Sequence, residues 1–406
     1  MTERICLVAL PSPFLIDEKV FPPLGALSVA TSLKAQGYDV RVHDGPVHEI
    51  PTDCAIYGIS STTPQFPEAL RALKQIRGYG GKRVLIGGAH ATVDTEMCMR
   101  AGFDGVIVRD GETSARIAVK YRCRVIEAPA ENYPIPLRDF IDIKEYRYLL
   151  DGIPATSLVT TRGCPYSCAF CCKTSDRVRI FPAEQVIREL EYLMENYGFR
   201  AFMFFDDLFI LDRIRLERVC NAMIGWNAKW RCFVRGDTIL RHGAGMVKKM
   251  REAGCVEVGI GVESGSDEIR KTINKQEDTK TLGQAITMLR GEGIRVKGLF
   301  IVGLPGESPE TVNETRRFLE AYPVDDLDIT IFQPYRGSHI YDNQEKYDIF
   351  WHDFDLRDSF YKGKPGAYTV NVSTSKMTTE DLAIARDSLE REFKVWREAT
   401  APSINQ

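Results

Sequence analysis

No stretch of the chain reaches the roughly 18 consecutive apolar residues that a membrane span needs. No segment repeats, and none is of low complexity. Neither sign of charge dominates: 53 Lys and Arg stand against 56 Asp and Glu, a net of -3. Broad electrostatic capture of nucleic acid is therefore not expected, although a local basic groove would not show in the total. Nothing resembles a DNA-binding module. Disorder is not expected either, because apolar runs recur along all 406 residues. The opening Met1-Thr2-Glu3-Arg4-Ile5-Cys6-Leu7-Val8 reads as a short apolar strand and not as a signal peptide. These absences lead us to expect a cytoplasmic protein of two or three domains with no membrane span.

Cysteine, by contrast, is plentiful. The chain has 11, an odd number with no secretory signal, which predicts reduced thiols or a metal site and not a disulfide framework. Cys6, Cys54, Cys98, Cys123, Cys220, Cys232 and Cys255 are scattered singly among apolar residues and read as small buried hydrophobes. The rest lie in one run, Thr161-Arg162-Gly163-Cys164-Pro165-Tyr166-Ser167-Cys168-Ala169-Phe170-Cys171-Cys172. Cys164, Cys168 and Cys171 have the spacing C-x3-C-x2-C. Three thiolates do not complete a structural zinc site, and no His follows at finger spacing. Soft thiolates suit an iron–sulfur cluster. Three ligands on a four-iron cluster leave one iron open to a small molecule. Adjacent side chains diverge, so Cys172 is expected not to join them.

The first 130 residues alternate strand and helix signals. Strands are expected at Ile5–Leu10, Val40–Val42, Ala55–Ile59, Val84–Ile86 and Gly105–Val108, with helical spacing from Leu24 and from Ala69. This predicts an α/β, Rossmann-like parallel sheet over 1–130, whose ligands bind outside the carboxyl ends of the strands. Pro129, Pro134 and Pro136 punctuate a connector over 131–155. Alternation resumes over 156–335, with strands at Ser157–Thr160, Ala201–Phe205, Trp230–Val234, Val256–Val262, Val296–Val302 and Asp328–Phe332. Six strands with helices between them suit a partial (β/α)6 barrel of TIM type. A small, mainly helical region over 336–406 contains Trp351, Trp396 and a helix start at Thr378-Thr379-Glu380-Asp381.

The triplet, with Phe170 before its last Cys and a six-strand βα domain after it, resembles the radical S-adenosylmethionine (SAM) superfamily. The resemblance implies a 4Fe-4S cluster on Cys164, Cys168 and Cys171, with the open iron holding SAM. It further implies cleavage of SAM to a 5′-deoxyadenosyl radical that abstracts hydrogen from an unactivated carbon. Phe204-Phe205-Asp206-Asp207-Leu208-Phe209 resembles the family segment after the second barrel strand. There Asp206 or Asp207 contacts the SAM ammonium, the plain alternative being a helix N-cap. Gly259-Ile260-Gly261-Val262-Glu263-Ser264-Gly265 resembles the fourth-strand motif, which makes Glu263 and Ser264 polar groups for SAM. Arg235 pairs either with the SAM carboxylate or with Asp237. Gly298–Glu307 resembles the fifth-strand motif that holds adenine, with Ile301 and Gly303 as the residues concerned.

Ahead of that domain, Pro22-Pro23-Leu24-Gly25, Ser60-Ser61-Thr62, Gly87-Gly88-Ala89-His90 and Asp110-Gly111-Glu112-Thr113 follow successive strands. In this order they resemble the cobalamin-binding radical SAM enzymes. The resemblance implies cobalamin contacts from Ser60, Ser61, Thr62, Gln65, Gly87, Gly88, His90, Gly111 and Glu112. The Asp-x-His-x-x-Gly motif that supplies an axial histidine is absent, since His43 and His48 have the wrong order about Asp44. Cobalamin without a protein histidine on cobalt is therefore expected. The plain alternative is a Rossmann-like unit that binds no cobalamin.

The activity so implied is a cobalamin-dependent radical SAM methyltransferase acting on an unactivated carbon under anaerobic conditions. Its substrate would be a peptide or protein side chain or a natural product, and a flavodoxin- or ferredoxin-type donor would supply electrons. Three alternatives remain open: a non-methylating cyclase or rearrangement enzyme, a tRNA methylthiotransferase-like enzyme, and a cobalamin or cluster sensor that is no enzyme. Tyr166, Tyr335, Arg336 and Tyr361 are the candidates for the wall of the substrate pocket, against the alternative of aromatic packing.

Overall fold

The first strand, β1 (Ile5–Ala9), is buried at every position. Side chains of a strand alternate between its faces, so a strand buried throughout needs cover on both sides. A parallel sheet between helices provides that cover. In this computed structural model, which describes residues 3–12, 15, 17–130, 132–175, 177–352 and 368–394, the chain divides into two units after Arg147.

In the first unit, α1 (Leu24–Lys34) follows β1 and leads to β2 (Val40–Asp44), and β3 (Ile56–Ser60) precedes α2 (Phe66–Gly78). Then come β4 (Arg83–Gly87), the short α3 (Ala89–Val93) and α4 (Thr95–Arg100), β5 (Gly105–Ile107), α5 (Gly111–Lys120) and β6 (Val125–Ile126). All pairings are parallel, in the order β2-β1-β3-β4-β5-β6. Cys6 and Val8 pack with Tyr57, Ile59 and Phe66 on one face, while Ile5, Leu7 and Ala9 pack with Ala26, Ala30 and Ala115 on the other. The five expected strands are present within a residue or two. β6 was not expected, because two residues carry no periodic signal.

The second unit opens at Tyr148 with a hairpin of β7 (Leu149–Leu150) and β8 (Ile153–Leu158). Its turn is Asp151-Gly152, with φ of +51° and +75°, as a two-residue hairpin turn of this hand requires. The connector expected over 131–155 is thus divided: its first part belongs to one unit and its end is already strand. A short antiparallel pair, β9 (Thr161–Arg162) and β10 (Arg179–Ile180), brackets the cysteine run. There follow α6 (Ala183–Tyr197), β11 (Ala201–Phe204), α7 (Arg213–Met223), β12 (Lys229–Val234), α8 (Gly236–His242), α9 (Ala244–Glu252) and β13 (Cys255–Glu263). The series continues with α10 (Asp267–Thr272), α11 (Thr279–Gly291), β14 (Arg295–Val302), α12 (Pro309–Ala321) and β15 (Asp326–Ile331). The strand order is β15-β14-β13-β12-β11-β8-β7, with six parallel strands forming the expected open barrel. After it lie α13 (His339–Asp342), the pair β16 (Phe350–Trp351) and β17 (Val372–Ser373), and α14 (Thr379–Phe393). Thr378 and Asp381 form a capping box at the helix start expected there. Tyr361 and Trp396 lie outside the described residues.

The two faces of the second sheet differ. Phe204 and Trp230 pack edge to face on one of them. On the other, Arg231, Glu257 and Arg295 stand side by side in register, and Lys297 lies beside Asp326. Arg231 reaches Glu257 at 3.1 Å, Arg295 reaches Asp151 at 2.6 Å, and Lys297 reaches Asp326 and Asp328 at 3.1 and 3.0 Å. Most of these charges are half-buried, and each is paired.

Packing at the carboxyl end of β13 leaves no room at Gly265. A Cβ there would stand 2.3 Å from the Cα of Thr315 in α12. Gly265→Ala should therefore cost about 1–3 kcal/mol, the range for overpacked sites, read as a lower midpoint in urea unfolding. An unchanged midpoint would show that α12 yields freely.

Candidate functional site

Beyond β9 the cysteine run has no helix or strand, so its backbone must be held from outside. On one side the holder is Asp206, which follows β11 and is buried. Its carboxylate accepts from the Thr160 hydroxyl at 2.6 Å and from the Thr161 backbone at 2.9 Å, as well as from the Thr160 backbone. Burial raises the Asp206 pKa, and these donors oppose the rise. Arg215 of α7 completes the anchor, donating to the Phe181 and Phe209 carbonyls at 2.8 and 3.1 Å and to the Thr160 hydroxyl. Asp206 is thus not a helix N-cap, a role that Asp212 takes for α7. Both its oxygens accept hydrogen bonds from the chain. Asp207 is exposed and accepts from the Gly163 backbone at 3.1 Å, at the entry of the loop.

On the other side the holder is the segment between α10 and α11. The Ile273 carbonyl accepts from the Ala169 backbone at 2.7 Å, and the Asn274 amide donates to the Ser167 carbonyl at 2.9 Å. Phe170, half-buried, lies just beyond Ala169, whose own carbonyl accepts from the Ile340 backbone at 3.0 Å. The Cys171 backbone donates to the Cys168 carbonyl at 3.1 Å, a turn that brings these two thiols together. A hydrogen bond between them lowers the Cys168 thiol and raises that of Cys171. Cys172 turns elsewhere. Its thiol donates to the Arg336 carbonyl at 3.2 Å, and burial pushes it up to about 11.

Among the described residues, no three or more His, Cys, Asp or Glu side chains close on a point that one metal ion would occupy. The triplet therefore does not suit a single zinc ion, which wants four ligands around it. A polynuclear iron–sulfur cluster takes its thiolates on separate irons, and soft donors of this kind fit it.

Beside the loop lies a buried ion network. Glu263 ends β13 with φ +64° at a register shift, and its carboxylate meets the Lys275 ammonium at 2.9 Å. Lys275 also faces Glu277 at 3.6 Å. Burial pulls the Lys275 pKa down, but Glu263 and Glu277 hold it above its ordinary value. A Cβ on Gly261 would stand 2.5 Å from the Glu263 carboxylate, so only glycine leaves that carboxylate its place. Arg235 is tied to Asp237 at 3.2 Å and to Glu277 at 3.1 Å, and it lies over the Tyr166 ring. Of the two pairings expected for it, the one with Asp237 is present. Ser264 faces away, within 3.5 Å of Thr315 on α12. Lys275, Glu277, Asn274 and Arg215 carried no signal in the sequence, because none lies in a recognisable motif and several of their partners are supplied by other elements of the fold.

The turn after β14 is built on two glycines and a buried acid. Gly303 has φ +87°, and its N–H donates to Glu307 at 3.1 Å. The other Glu307 oxygen accepts from Thr311 at 2.9 Å. Ile301, half-buried, stands level with Thr330 on β15. Tyr335 is half-buried and Arg336 exposed, with Arg336 lying over the Tyr341 ring at 5.6 Å.

In the first unit a cleft of about 230 Å³ opens at the carboxyl ends of β1, β2 and β3, lined among others by Ala9, Gly25, Asp44, Ser60 and Gln65. Gln65 bridges loops there, donating to the Leu10 carbonyl at 2.7 Å and accepting from Thr62. Gly88 has φ +94°, and a Cβ on it would strike the Ser61 backbone at 2.7 Å, so the loops after β3 and β4 touch directly. Gly87 accepts from the Ser61 backbone at 3.0 Å. His90 is no solvated loop histidine. It is buried, packed against Phe66 with ring centres 4.1 Å apart and the rings tilted by 37°, and 3.2 Å from the Thr63 hydroxyl. Two of the residues expected at cobalamin have partners within the unit itself. The Glu112 carboxylate accepts from Ser28 of α1 at 2.6 Å, and a Cβ on Gly111 would meet Val29 at 2.7 Å. These two residues pack α5 on α1. Of the seven scattered cysteines, Cys123 is exposed and the other six are buried, as expected of them.

Burial lifts Glu307 from the ordinary 4.5 to about 7. As pH rises through this window, the unfolded chain loses the proton first and the folded chain keeps it. Stability therefore falls between about 4.5 and 7 and is level above. That is a difference of the order of a few kcal/mol. In Glu307→Gln this decline should be absent from urea melts across the window; equal pH slopes in both proteins would refute the assignment.

Comparison with known proteins matches residues 158–319 to the radical SAM superfamily and residues 18–119 to the B12 binding domain. An uncharacterized methyltransferase of Pyrococcus horikoshii is 28% identical over 84% of this chain and 82% of its own. The anaerobic magnesium-protoporphyrin IX monomethyl ester cyclase of Rubrivivax gelatinosus is 24% identical over 82% and 68%. The radical SAM methyltransferase TsrM from Kitasatospora setae, solved with cobalamin and a 4Fe-4S cluster bound, shares the fold at a TM-score of 0.77. It is 15% identical, and the match spans 98% of this chain and 94% of that one. The chain thus carries a B12-binding domain followed by a radical SAM domain, the domain order of the cobalamin-binding radical SAM enzymes that it resembles.

Proposed function

We propose that this chain is a cobalamin-dependent radical SAM methyltransferase that methylates an unactivated carbon. The observation that carries the reading is the pose of the cysteine run. Three thiols remain for a cluster while the fourth, Cys172, is turned onto the Arg336 carbonyl, in a chain with a B12-binding domain ahead of it. When bound, the cluster with SAM supplies hydrogen abstraction from carbon, and cobalamin supplies methyl delivery.

The chain's own residues hold and orient. Cys164, Cys168 and Cys171 ligate the cluster. Asp207 and the Glu263–Lys275 pair are the polar groups for SAM, and the backbone at Ile301 and Gly303 takes its adenine. Ser60, Ser61, Thr62, Gln65, Gly87, Gly88 and His90 form the cobalamin side. Asp206 and Ser264 serve as framework. Neither His43 nor His90 is assigned to cobalt: the His43 ring is held by the Pro46 carbonyl at 3.0 Å, and His90 is packed on Phe66. The substrate is a peptide or protein side chain or a natural product, and the electrons come from a flavodoxin- or ferredoxin-type donor. A ring-forming reaction is the second reading, favoured by the cyclase relative.

Anaerobic purification should give about four irons and one cobalamin per chain by metal analysis and visible spectrum. Cys164→Ala, Cys168→Ala and Cys171→Ala should each lose the iron, and Cys172→Ala should keep it. Iron loss in Cys172→Ala, or zinc in the wild type, would sink the ligand set. With a turned-over substrate, chromatography should find S-adenosylhomocysteine and 5′-deoxyadenosine in equal amounts. Deoxyadenosine without S-adenosylhomocysteine would transfer the chain to the ring-forming class.

A further inference from the structure

A guanidinium has five N–H donors in a rigid planar fork. In Arg235 most of that fork is already fixed. Nε faces Asp237 Oδ1 at 3.2 Å. Nη2 donates to the Lys275 carbonyl at 2.8 Å and faces Glu277 Oε2 at 3.1 Å. The Tyr166 ring covers the plane, with the guanidinium carbon 3.7 Å from its centre. Tyr166 is itself tethered, its hydroxyl donating to Asp237 at 2.8 Å. One end remains, Nη1, and it points at the Cys168 sulfur, 3.9 Å away. The side chain is only 5% exposed, so solvent screens this contact little.

We infer that Arg235 is a tuning residue for the iron–sulfur cluster and not a clamp on the SAM carboxylate. Its N–H donor and positive charge act on the Cys168 sulfur and favour the reduced, more negative cluster. This rests on the cluster reading above. Hydrogen bonds to cluster sulfurs and local charge are among the determinants of reduction potential. Tyr166, which belongs to the cysteine run itself, is the positioning residue that keeps Nη1 aimed. The pair also explains an aromatic side chain inside the loop without assigning it to the substrate.

The test is the cluster's midpoint potential, followed by electron paramagnetic resonance in a dye-mediated titration of reconstituted full-length protein without SAM. Arg235→Gln removes the charge, and its shorter side chain does not reach the sulfur. It should shift the potential downward, so that the reduced-to-oxidised ratio at a fixed ambient potential falls about tenfold, about 59 mV for one electron. Tyr166→Ala should shift it in the same direction, whereas Tyr166→Phe keeps the stacked ring and should stay near wild type. Arg235→Lys, which keeps the charge without the fork, should fall between, and it decides the matter if Arg235→Gln takes up no iron. Four irons with an unmoved potential in Arg235→Gln, or in Arg235→Lys should that be the variant read, would overturn this inference alone. A wild-type chain that takes up no iron would overturn the cluster reading with it. A changed SAM affinity at an unchanged potential would return Arg235 to the SAM carboxylate.

Discussion

Desolvating a carboxylate is costly unless several donors surround it, and the cysteine run depends on one such group. Asp206 is buried behind the loop and gathers both the Thr160 and the Thr161 backbone with the Thr160 hydroxyl. The run cannot drift from the end of β8 without stranding that charge. The second anchor is strained where the first is buried. Asn274 and Gln276, on the segment that holds Ser167 and Ala169, both have positive φ, +53° and +55°. Strain of about 1–3 kcal/mol per residue persists only where surrounding contacts fix it. Here those contacts include Lys275, locked between two such residues by Glu263 and Glu277.

The same logic explains why the charges by the loop come as a network. Taken one at a time, Arg235, Lys275, Glu263 and Glu277 would each be expensive to bury. Together each satisfies the next, and the pairing removes all freedom of placement. Glu263 reaches Lys275 only because Gly261 has no Cβ, and Glu277 fixes the Asp237 backbone as well as Arg235. A chain of such contacts links the carboxyl ends of β12 and β13 to Cys168. Orientation, more than stability, is what buried ion pairs supply here.

Much of the fold could be read in the sequence, because alternation of apolar runs with helical spacing is a local signal. The three thiols proposed as cluster ligands also stand out there, since their chemistry and their spacing lie within one loop. Long-range roles do not. Asp206 stands out in the sequence, but its partners at Thr160 and Thr161 lie 46 and 45 residues away, and only the fold reveals that they are the chain's own. Asn274 meets Ser167 across 107 residues and leaves no trace in either segment. The paired charges on the open face of the barrel were equally hidden. Arg231, Glu257 and Arg295 become neighbours through strand register, which hydrophobic periodicity does not encode.

Glycine shows most clearly where such reading stops. A glycine after a strand announces a close approach but not what approaches. At Gly88 the neighbour is the Ser61 backbone, at Gly111 it is Val29 of a packed helix, and at Gly265 it is the backbone of α12. At Gly261, within β13, it is a charged group, the Glu263 carboxylate with the Lys275 ammonium behind it. In the sequence Gly88 and Gly111 read as cobalamin-contact glycines, and Gly261 and Gly265 belong to the fourth-strand motif. Three of them let the chain meet itself, and the fourth gives a carboxylate the room to face a cation beside the cysteine loop. What separates a binding glycine from a packing glycine is thus the polarity of its neighbour, and that neighbour is supplied by a different part of the fold.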